Sequence, residues 1–382
     1  MPIHLKGLTW DHPRATRPLQ AAAEPLESLH PDITVTWEAQ PLAGFEARPL
    51  HEAADAYDLI VFDHPHVGEA AAGGWLLPVD SLLHAQKLHD SDFVGPSLSS
   101  YRWQGQTWGL PLDAACQVSC WRGDLLDEVG ASVPSTWSEV LSLGEKALSR
   151  QCYLGIALAG VHSLMTLFSL CASQGAPLVQ DDADELLDRN AARAAFNAMR
   201  ALLAFCPTDV LDWNTIALQD AMSSRDDLLY CPAVYGFSPY AERSRQRRLT
   251  YGNLPGLTQG CAGSTLGGAG LGISARSKQA DAALTIAAYL VSADVQTEVI
   301  AAHGGQPASS AAWQSSLANE RTLSFYANTR RTIDQAWVRP RFAGYLDFQR
   351  AGGALVEACL RDVLRMEPML DQLDAAWKAA RR

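Results

Sequence analysis

The stretch Asp58-Leu59-Ile60-Val61-Phe62-Asp63-His64-Pro65-His66 sets four apolar residues in a row directly before a polar, ionisable end. A short apolar run with polar flanks reads as a strand buried on both faces, the habit of parallel sheets covered by helices. Upstream the same rhythm recurs. Ile3 to Trp10 is an apolar-rich run and a first strand. Pro13 to Leu29 carries Leu19, Ala22, Ala23, Leu26 and Leu29 close to helical spacing, and Ile33-Thr34-Val35-Thr36-Trp37 alternates as a half-buried strand does. Leu50 to Ala56 is a short helical piece. This β-α-β-α-β order predicts an α/β fold with helices on the faces of a parallel sheet.

Downstream the pattern changes. Trp103-Gln104-Gly105-Gln106-Thr107-Trp108-Gly109 reads as a hairpin, Leu110 to Asp113 as an extended crossing segment, and Cys116 to Trp121 as a further strand. Thr136-Trp137-Ser138-Glu139 forms a capping box before a helix over Val140 to Ser149, its hydroxyl and carboxylate satisfying orphan N–H groups. Helices are predicted over His162 to Gln174 and Ala191 to Phe205, with strand and loop over Asp226 to Tyr240. The glycine-rich stretch Gly260 to Gly272 leads into a strand at Leu271-Gly272-Ile273-Ser274. Ala280 to Val291 is helical, Ser292 caps a second helix over Val295 to Ala302, and Gly304-Gly305-Gln306-Pro307 ends it. The tail from Tyr345 to Ala380 reads as helical except near Gly352-Gly353 and Pro368.

At 382 residues the chain has room for two or three domains, and 48% hydrophobic with 19% charged residues is an ordinary globular composition. Thirty Lys and Arg against 42 Asp and Glu leave a net charge of -12, which argues against a protein that works by neutralising phosphate backbones. The most apolar run, Leu154 to Ala172, is interrupted by Gly155, Gly160, His162 and several serines, so it does not read as a membrane span. Met1 leads almost directly into the first strand, so a secretory leader is expected to be either removed or absent. Eight cysteines are scattered without a CxxC pair, which reads as buried structural thiols, not a disulfide framework or a zinc site.

In open α/β sheets, ligands bind beyond the carboxyl ends of the strands. Trp10-Asp11-His12-Pro13-Arg14 and Asp63-His64-Pro65-His66 both fall there, and both contain Asp-His-Pro. They predict half of a binding site; the alternative is that Asp11 and Asp63 cap the next helices and the histidines are surface residues. His64 and His66 with Asp11, His12 and Asp63 have donors that suit zinc, but no third ligand pair stands at a diagnostic spacing, so no metal is expected. Gly263-Ser264-Thr265-Leu266-Gly267 lacks the context of a nucleophile elbow, and the glycines at 267, 268, 270 and 272 precede a strand where a dinucleotide loop would follow one. No catalytic residue and no cofactor is therefore expected. Aromatic and polar residues gather again in Tyr235-Gly236-Phe237-Ser238-Pro239-Tyr240 and Trp337-Val338-Arg339-Pro340-Arg341-Phe342, either as sugar-facing rings and anion-holding forks or as ordinary packing.

The order of several segments is itself informative. Gly105-Gln106-Thr107-Trp108-Gly109-Leu110-Pro111-Leu112-Asp113 leads to Trp121-Arg122-Gly123-Asp124-Leu125-Leu126, followed by Val133-Pro134-Ser135-Thr136-Trp137-Ser138-Glu139. Then come Gly267-Gly268-Ala269-Gly270-Leu271-Gly272-Ile273-Ser274, Ala288-Tyr289-Leu290-Val291-Ser292 with Val295-Gln296, and Gly304-Gly305-Gln306-Pro307-Ala308. In this order the chain resembles the extracellular solute-binding proteins of ABC importers, in the class that includes maltose-binding protein. A narrower likeness, to a subgroup of that class, rests on Trp10 to Arg14, Asp63-His64-Pro65, Asp212-Trp213-Asn214 and Tyr235 to Tyr240.

The resemblance implies a periplasmic-binding-protein-like clamp of two α/β lobes, each a mixed, mostly parallel sheet flanked by helices. It places residues 1–111 with 265–310 in one lobe and 112–264 with 311–382 in the other, with crossings near 111–113, 263–266 and 308–313. A solute in the cleft would shift an open–closed equilibrium, and a membrane permease would read the closed state. Candidate contacts are Trp10, Asp11, His12, Arg14, Asp63 and His64 from one lobe, and Asp113, Gln117, Trp213, Asn214, Tyr235, Ser238 and Tyr240 from the other, with Arg339 and Arg341 behind them. A sugar or sugar-like solute is the leading expectation; Arg14, Arg339 and Arg341 prompt a small organic or aromatic carboxylate as the variant. An enzyme using Asp11, His12, Asp63 or His64 as acid and base, and a cytoplasmic sensor on the same clamp, are the competing classes. The expected partners are the small molecule and the permease subunits, with no nucleic acid, a monomeric state and a periplasmic address.

Overall fold

A computed structural model of the chain describes residues 2–175, 186–257 and 263–381. Strands β1 (Ile3–Trp10), β2 (Ile33–Gln40) and β3 (Leu59–Phe62) run parallel in the order β2-β1-β3. The short apolar run behaves as expected: Leu59 and Val61 enter the main core, while Ile60 and Phe62 enter a second cluster with Leu8, Leu50, Tyr101 and Trp108 on the opposite face. The hairpin forms from β4 (Arg102–Trp103) and β5 (Gln106–Thr107). Its turn residues Gln104 and Gly105 have φ of 50° and 81°, the left-handed geometry that two-residue hairpins demand.

The remaining strands are β6 (Leu110–Arg122), β7 (Tyr153–Leu154), β8 (Leu228–Tyr235), β9 (Leu249–Gly252) and β10 (Leu266–Ile273). The sequence predicts a crossing segment and a separate strand over 110–121, but both belong to the single 13-residue strand β6. Its first half pairs with β10, from Leu110 opposite Leu271 to Cys116 opposite Leu266. Its second half pairs with β8, beginning at Gln117 opposite Tyr235, and with β9. Pro111 divides the sequence reading, yet it lies opposite Gly270 at a register shift, where a strand tolerates proline.

The sheet order is β2-β1-β3-β10-β6-β8-β7, with β9 also on β6. It is mixed, but parallel pairing is confined to β2-β1-β3 and β7-β8, less than expected; β10 with β3, and β6 with β10, β8 and β9, are antiparallel. The reason is topological: β6 and β10 carry the chain across the molecule, and only strand-helix-strand returns enforce parallel neighbours.

Three helical predictions shift. The helix over 13–29 is two, Pro13–Ala21 and Ala23–Leu29, because Pro25 has no N–H to continue the ladder. The last helix pair is Tyr345–Leu360 and Met366–Ala380, with Pro368 tolerated in a first turn. Gly352 and Gly353 lie inside the former and do not break it; they let it touch the helix Val161–Ser173. A Cβ on Gly353 would stand 2.8 Å from the Gly160 carbonyl oxygen, and Ser163 Oγ donates to the Gly353 carbonyl at 3.0 Å. Gly267 to Gly272 lies within β10 instead of before it, while Gly260 and Cys261 fall outside the described residues. The capping box forms as read, with Glu139 Oε2 accepting from the backbone of Ser135 and Thr136 ahead of the helix Trp137–Leu148. Among the described residues no single helix is long and apolar enough to cross a membrane, and none of the seven cysteines forms a disulfide, six of them being buried.

The contact at Gly353 makes a test of this packing. Alanine is the better helix former, but its Cβ meets a backbone carbonyl that has no rotamer to give way. Gly353→Ala is expected to destabilise the protein by about 1–3 kcal/mol in urea unfolding. Gly123→Ala, with open space at the start of the helix Gly123–Val129, is expected to be neutral or slightly stabilising. Equal stability of the two variants would contradict this account.

Candidate functional site

Two parallel strands end side by side, β1 at Trp10 and β3 at Phe62, and the residues beyond them open onto a cleft of about 770 Å³, part of it open to solvent. His12 caps the helix Pro13–Ala21, its Nδ1 accepting from the Arg14 N–H at 3.1 Å, and this fixes the direction in which Arg14 leaves the helix. Asp63 starts the 3-10 turn His64–His66. Trp10, Arg14, Asp63 and His66 form one wall, joined by Leu42 and Phe45 from beyond the end of β2. The facing wall comes from His162 and Met165, Thr215, Tyr235 and Phe237, Arg339, and Leu346 and Gln349. Asp113 and Ala115 of β6, with Gly267, Gly268 and Ala269 of β10, lie between the walls.

Two buried arginines tie the walls together. Arg14 Nε donates to Asp113 Oδ2 at 2.7 Å, its Nη2 donates to Oδ1, and Nη1 donates to the Gly236 carbonyl at 3.2 Å. Its guanidinium lies 4.4 Å from the centre of the Phe237 ring. Arg339 Nη2 donates to both Asp63 oxygens at 2.7 Å, Nε to the Leu266 carbonyl and Nη1 to Gln349 Oε1. Because that amide oxygen accepts from Arg339, the Gln349 amide retains its N–H donors. An aromatic bank flanks the first pair: the rings of Phe45 and Phe237 lie 6.0 and 5.7 Å from Trp10, and His12 stacks on Trp10 at 5.3 Å.

The electrostatics follow from burial and these two pairs. Burial alone would raise the Asp63 carboxyl, but Arg339 and His64 outweigh it and hold it well below the usual range. At Asp113, burial pushes the carboxyl up and Arg14 only partly opposes it. Burial, reinforced by the Arg339 charge, lowers His64, His66 and His162 each to about 4, and burial with Arg14 lowers His12 to about 3. At neutral pH the site therefore holds neutral imidazoles beside two internally compensated ion pairs.

Of the residues singled out from sequence, Trp10, Arg14, Asp63, Asp113, Tyr235 and Arg339 line the cleft. The others do not. Asp11 is exposed to solvent, and His64 sits behind Asp63 with Nδ1 3.2 Å from Oδ1. Gln117 donates to Thr166, and Tyr240 donates to Asp220 at 2.7 Å. Asn214 caps the helix Thr215–Ser224, and the Trp213 carbonyl accepts from the N–H groups of Leu158 and Ala159. Ser238 bonds to Gln306 and Gly305, and Arg341 donates to the backbone carbonyls of Ser99 and Arg102. Sequence reasoning missed Leu42, Phe45, His162, Met165, Thr215, Leu346 and Gln349; it named Phe237 only within the motif from Tyr235 to Tyr240, and His66 only as a metal donor and in its motif. Leu42 and Phe45 obey the strand-end rule and were findable. His162 with Met165, and Leu346 with Gln349, lie three apart on helices whose apolar faces read as core. Among the described residues no group of three or more His, Cys, Asp or Glu is placed to hold a metal ion.

The sequence model of the bacterial extracellular solute-binding proteins matches residues 21–321. The chain belongs to this family. Among solved structures it is similar to maltose-bound MalE3 of T. maritima, with a TM-score of 0.82 at 18% identity over 99% of each chain. It is likewise similar to an ABC transporter solute-binding protein of Agrobacterium radiobacter K84 in complex with ribitol (TM-score 0.83, 18% identity, 99% of this chain and 100% of that one). A third, from Thermotoga lettingae TMO with bound alpha-D-tagatose, gives 0.84 at 17% identity over the whole of both chains. The two-lobe fold expected from sequence is thus the fold of this solute-binding protein.

Two outcomes follow from the charges. Arg14→Met leaves Asp113 buried without its partner and is expected to cost about 3–5 kcal/mol in urea unfolding, while adding Asp113→Leu should recover most of that loss. If the double variant is no more stable than the single, the pair is not what Arg14 contributes. The histidines set a pH dependence. In the unfolded chain each titrates near 6.5, and in the folded protein His64, His66 and His162 titrate at about 4, so the folded state binds fewer protons between these values. Stability is therefore full above pH 6.5 and falls on acidification towards pH 4, by up to about 1.4 kcal/mol per pH unit for each histidine. His64→Gln should flatten that slope by one proton's worth in denaturation curves measured across this range.

Proposed function

We propose that this solute-binding protein captures a neutral sugar or polyol between its two lobes and delivers it, chemically unchanged, to the permease of an ABC importer. One observation carries the choice of ligand: both arginines in the cleft are already matched by carboxylates, Arg14 by Asp113 and Arg339 by Asp63. What remains for a solute is the aromatic bank of Trp10, Phe45 and Phe237 and a few uncharged polar groups, which suits the apolar faces and hydroxyls of a carbohydrate. An organic carboxylate would have to displace Asp113 or Asp63 from its arginine, and Arg341 already donates to backbone carbonyls. Solved relatives of the same fold carry maltose, ribitol and tagatose, which supports the same ligand class here.

The lobes comprise residues 1–111 with 265–310 and 112–264 with 311–382, hinged where β6, the start of β10 and the segment near 308–313 cross between them. The change of β6 partner from β10 at Cys116 to β8 at Gln117 supports a crossing within this strand, a few residues beyond the 111/112 boundary. The binding residues are Trp10, Arg14, Asp63, Asp113, Tyr235 and Arg339, supplemented by Phe45, Phe237 and Gln349. The protein works as a periplasmic monomer without nucleic-acid partners, in keeping with its net charge of -12. It is not an enzyme: His12 and Asp63, the acid–base candidates nearest the cleft, are engaged by Arg14 and Arg339.

Thermal melting against two panels tests this reading. Maltose, ribitol and D-tagatose form the neutral panel; gluconate and benzoate form the charged one. A ligand at ~100 times its dissociation constant stabilises the native state by ~2.7 kcal/mol, so a neutral solute should raise the melting temperature measurably and the acids should not. Trp10→Ala is expected to weaken binding by at least tenfold. Stabilisation by the acids alone, or recovery of the bound solute in altered form, would overturn the proposal.

A further inference from the structure

We propose that His66 and His162, one from each wall of the cleft, are specificity-determining residues that read hydroxyl groups of the bound solute as neutral imidazoles. The inference rests on the sugar or polyol reading and sharpens it. His66 stands in the 3-10 turn after β3, and His162 in the first turn of the helix Val161–Ser173. They are 3% and 6% exposed, and both line the cleft. Nδ1 of each is buried without a hydrogen-bond partner. The site's other two histidines do not line the cleft: Nδ1 of His12 accepts from the Arg14 N–H, and Nδ1 of His64 faces Asp63, although its Nε2 is likewise unpartnered.

Buried polar groups in folded proteins are paired with few exceptions, and each exception calls for an explanation, whether strain, a functional role or a missing partner such as a water or an ion. Both rings line the same cavity, so a solute held there is within reach of them. A neutral imidazole offers one donor and one acceptor. A hydroxyl also donates and accepts, so it can use either nitrogen; a carboxylate can only accept and an ammonium group can only donate. Both rings lie in the field of Arg339, which disfavours their protonation, and Asp63 opposes it at His66. An uncharged donor in the same cleft is the Gln349 amide, whose oxygen is occupied by Arg339. Because the two rings belong to opposite walls, a solute that touches both gains contacts only in the closed clamp, and this differential contact is what drives closure.

The experiment is titration calorimetry with maltose, ribitol and D-tagatose on the full chain as wild type, His66→Leu, His162→Leu and the double variant, with imidazole ¹⁵N NMR at pH 7. Each single variant is expected to lose about tenfold in affinity for whichever probe binds the wild type, while its unliganded stability at pH 7 stays equal or rises. His162→Gln should recover part of the loss. In the wild type, both rings should be neutral, and their nitrogen shifts should move on adding the probe, whereas those of His12 and His64 should not. If the wild type binds a probe and both leucine variants keep its affinity within twofold, or if the His66 and His162 shifts stay still, the inference falls and the sugar reading stands. A wild type that binds none of the three probes overturns the sugar reading and this inference with it.

Discussion

One strand serves two halves of a sheet, and the rest of the molecule is arranged around that constraint. In β6 the ladder partner changes from β10 at Cys116 to β8 at Gln117, so thirteen consecutive residues cannot be assigned to either half alone. The ladder is irregular on both sides of this change, between Ala269 and Gly270 in β10 and between Val118 and Cys120 in β6. Such irregularities add local twist without ending the strand, so β6 can exchange one set of partners for another along its length. Asp113, on the first half of β6, is thereby fixed by backbone pairing at the bottom of the cleft, and Arg14 is drawn to it from the helix that follows β1.

That placement has an electrostatic consequence. Taking a charged pair out of water costs more than an isolated contact returns, so a buried pair is better understood as fixing geometry than as adding stability. Arg14 meets Asp113 and the Gly236 carbonyl together, and Arg339 meets Asp63, the Leu266 carbonyl and Gln349 together. Each guanidinium thus joins segments far apart in sequence. Each also neutralises a carboxylate, so the cleft, lined largely by apolar groups, carries little net charge. Its walls can hold an uncharged solute without stripping water from an unpaired ion.

Much of this was legible in the sequence where local chemistry and tertiary role agree. The run Leu59 to Phe62, the capping box at Thr136 and Glu139, and the hairpin turn at Gln104-Gly105 all depend on short-range physics, and all form where read. Legibility failed where tertiary packing overrides a local breaker. Pro111 sits inside a strand because it meets a bulge, and Gly352-Gly353 continues a helix because another backbone presses against it. The site divides in the same way. Trp10, Arg14 and Asp63 follow strand ends and were readable; His162, Met165 and Gln349 project from helix faces whose spacing is that of core. Gln117, Ser238 and Tyr240 had plausible chemistry, but the fold uses their polar atoms for itself.

The same distinction, polar atoms the fold uses against those it leaves over, gives the cleft its physical meaning. Buried side-chain atoms without a partner include Thr9 Oγ1 beside Trp10, His64 Nε2 and His66 Nδ1 after β3, Gln117 Oε1 in β6 and His162 Nδ1. These positions surround the crossing between the two halves. Ser223 Oγ, at the end of the helix Thr215–Ser224, is a further such atom that does not line the cleft. A chain optimised for stability alone would have filled these positions with apolar residues or paired them, since each unmatched buried group costs about 1–3 kcal/mol. Of the residues named, His66 and His162 line the cleft, so in the proposed clamp a solute would complete their contacts, whereas Thr9, His64 and Gln117 do not line it.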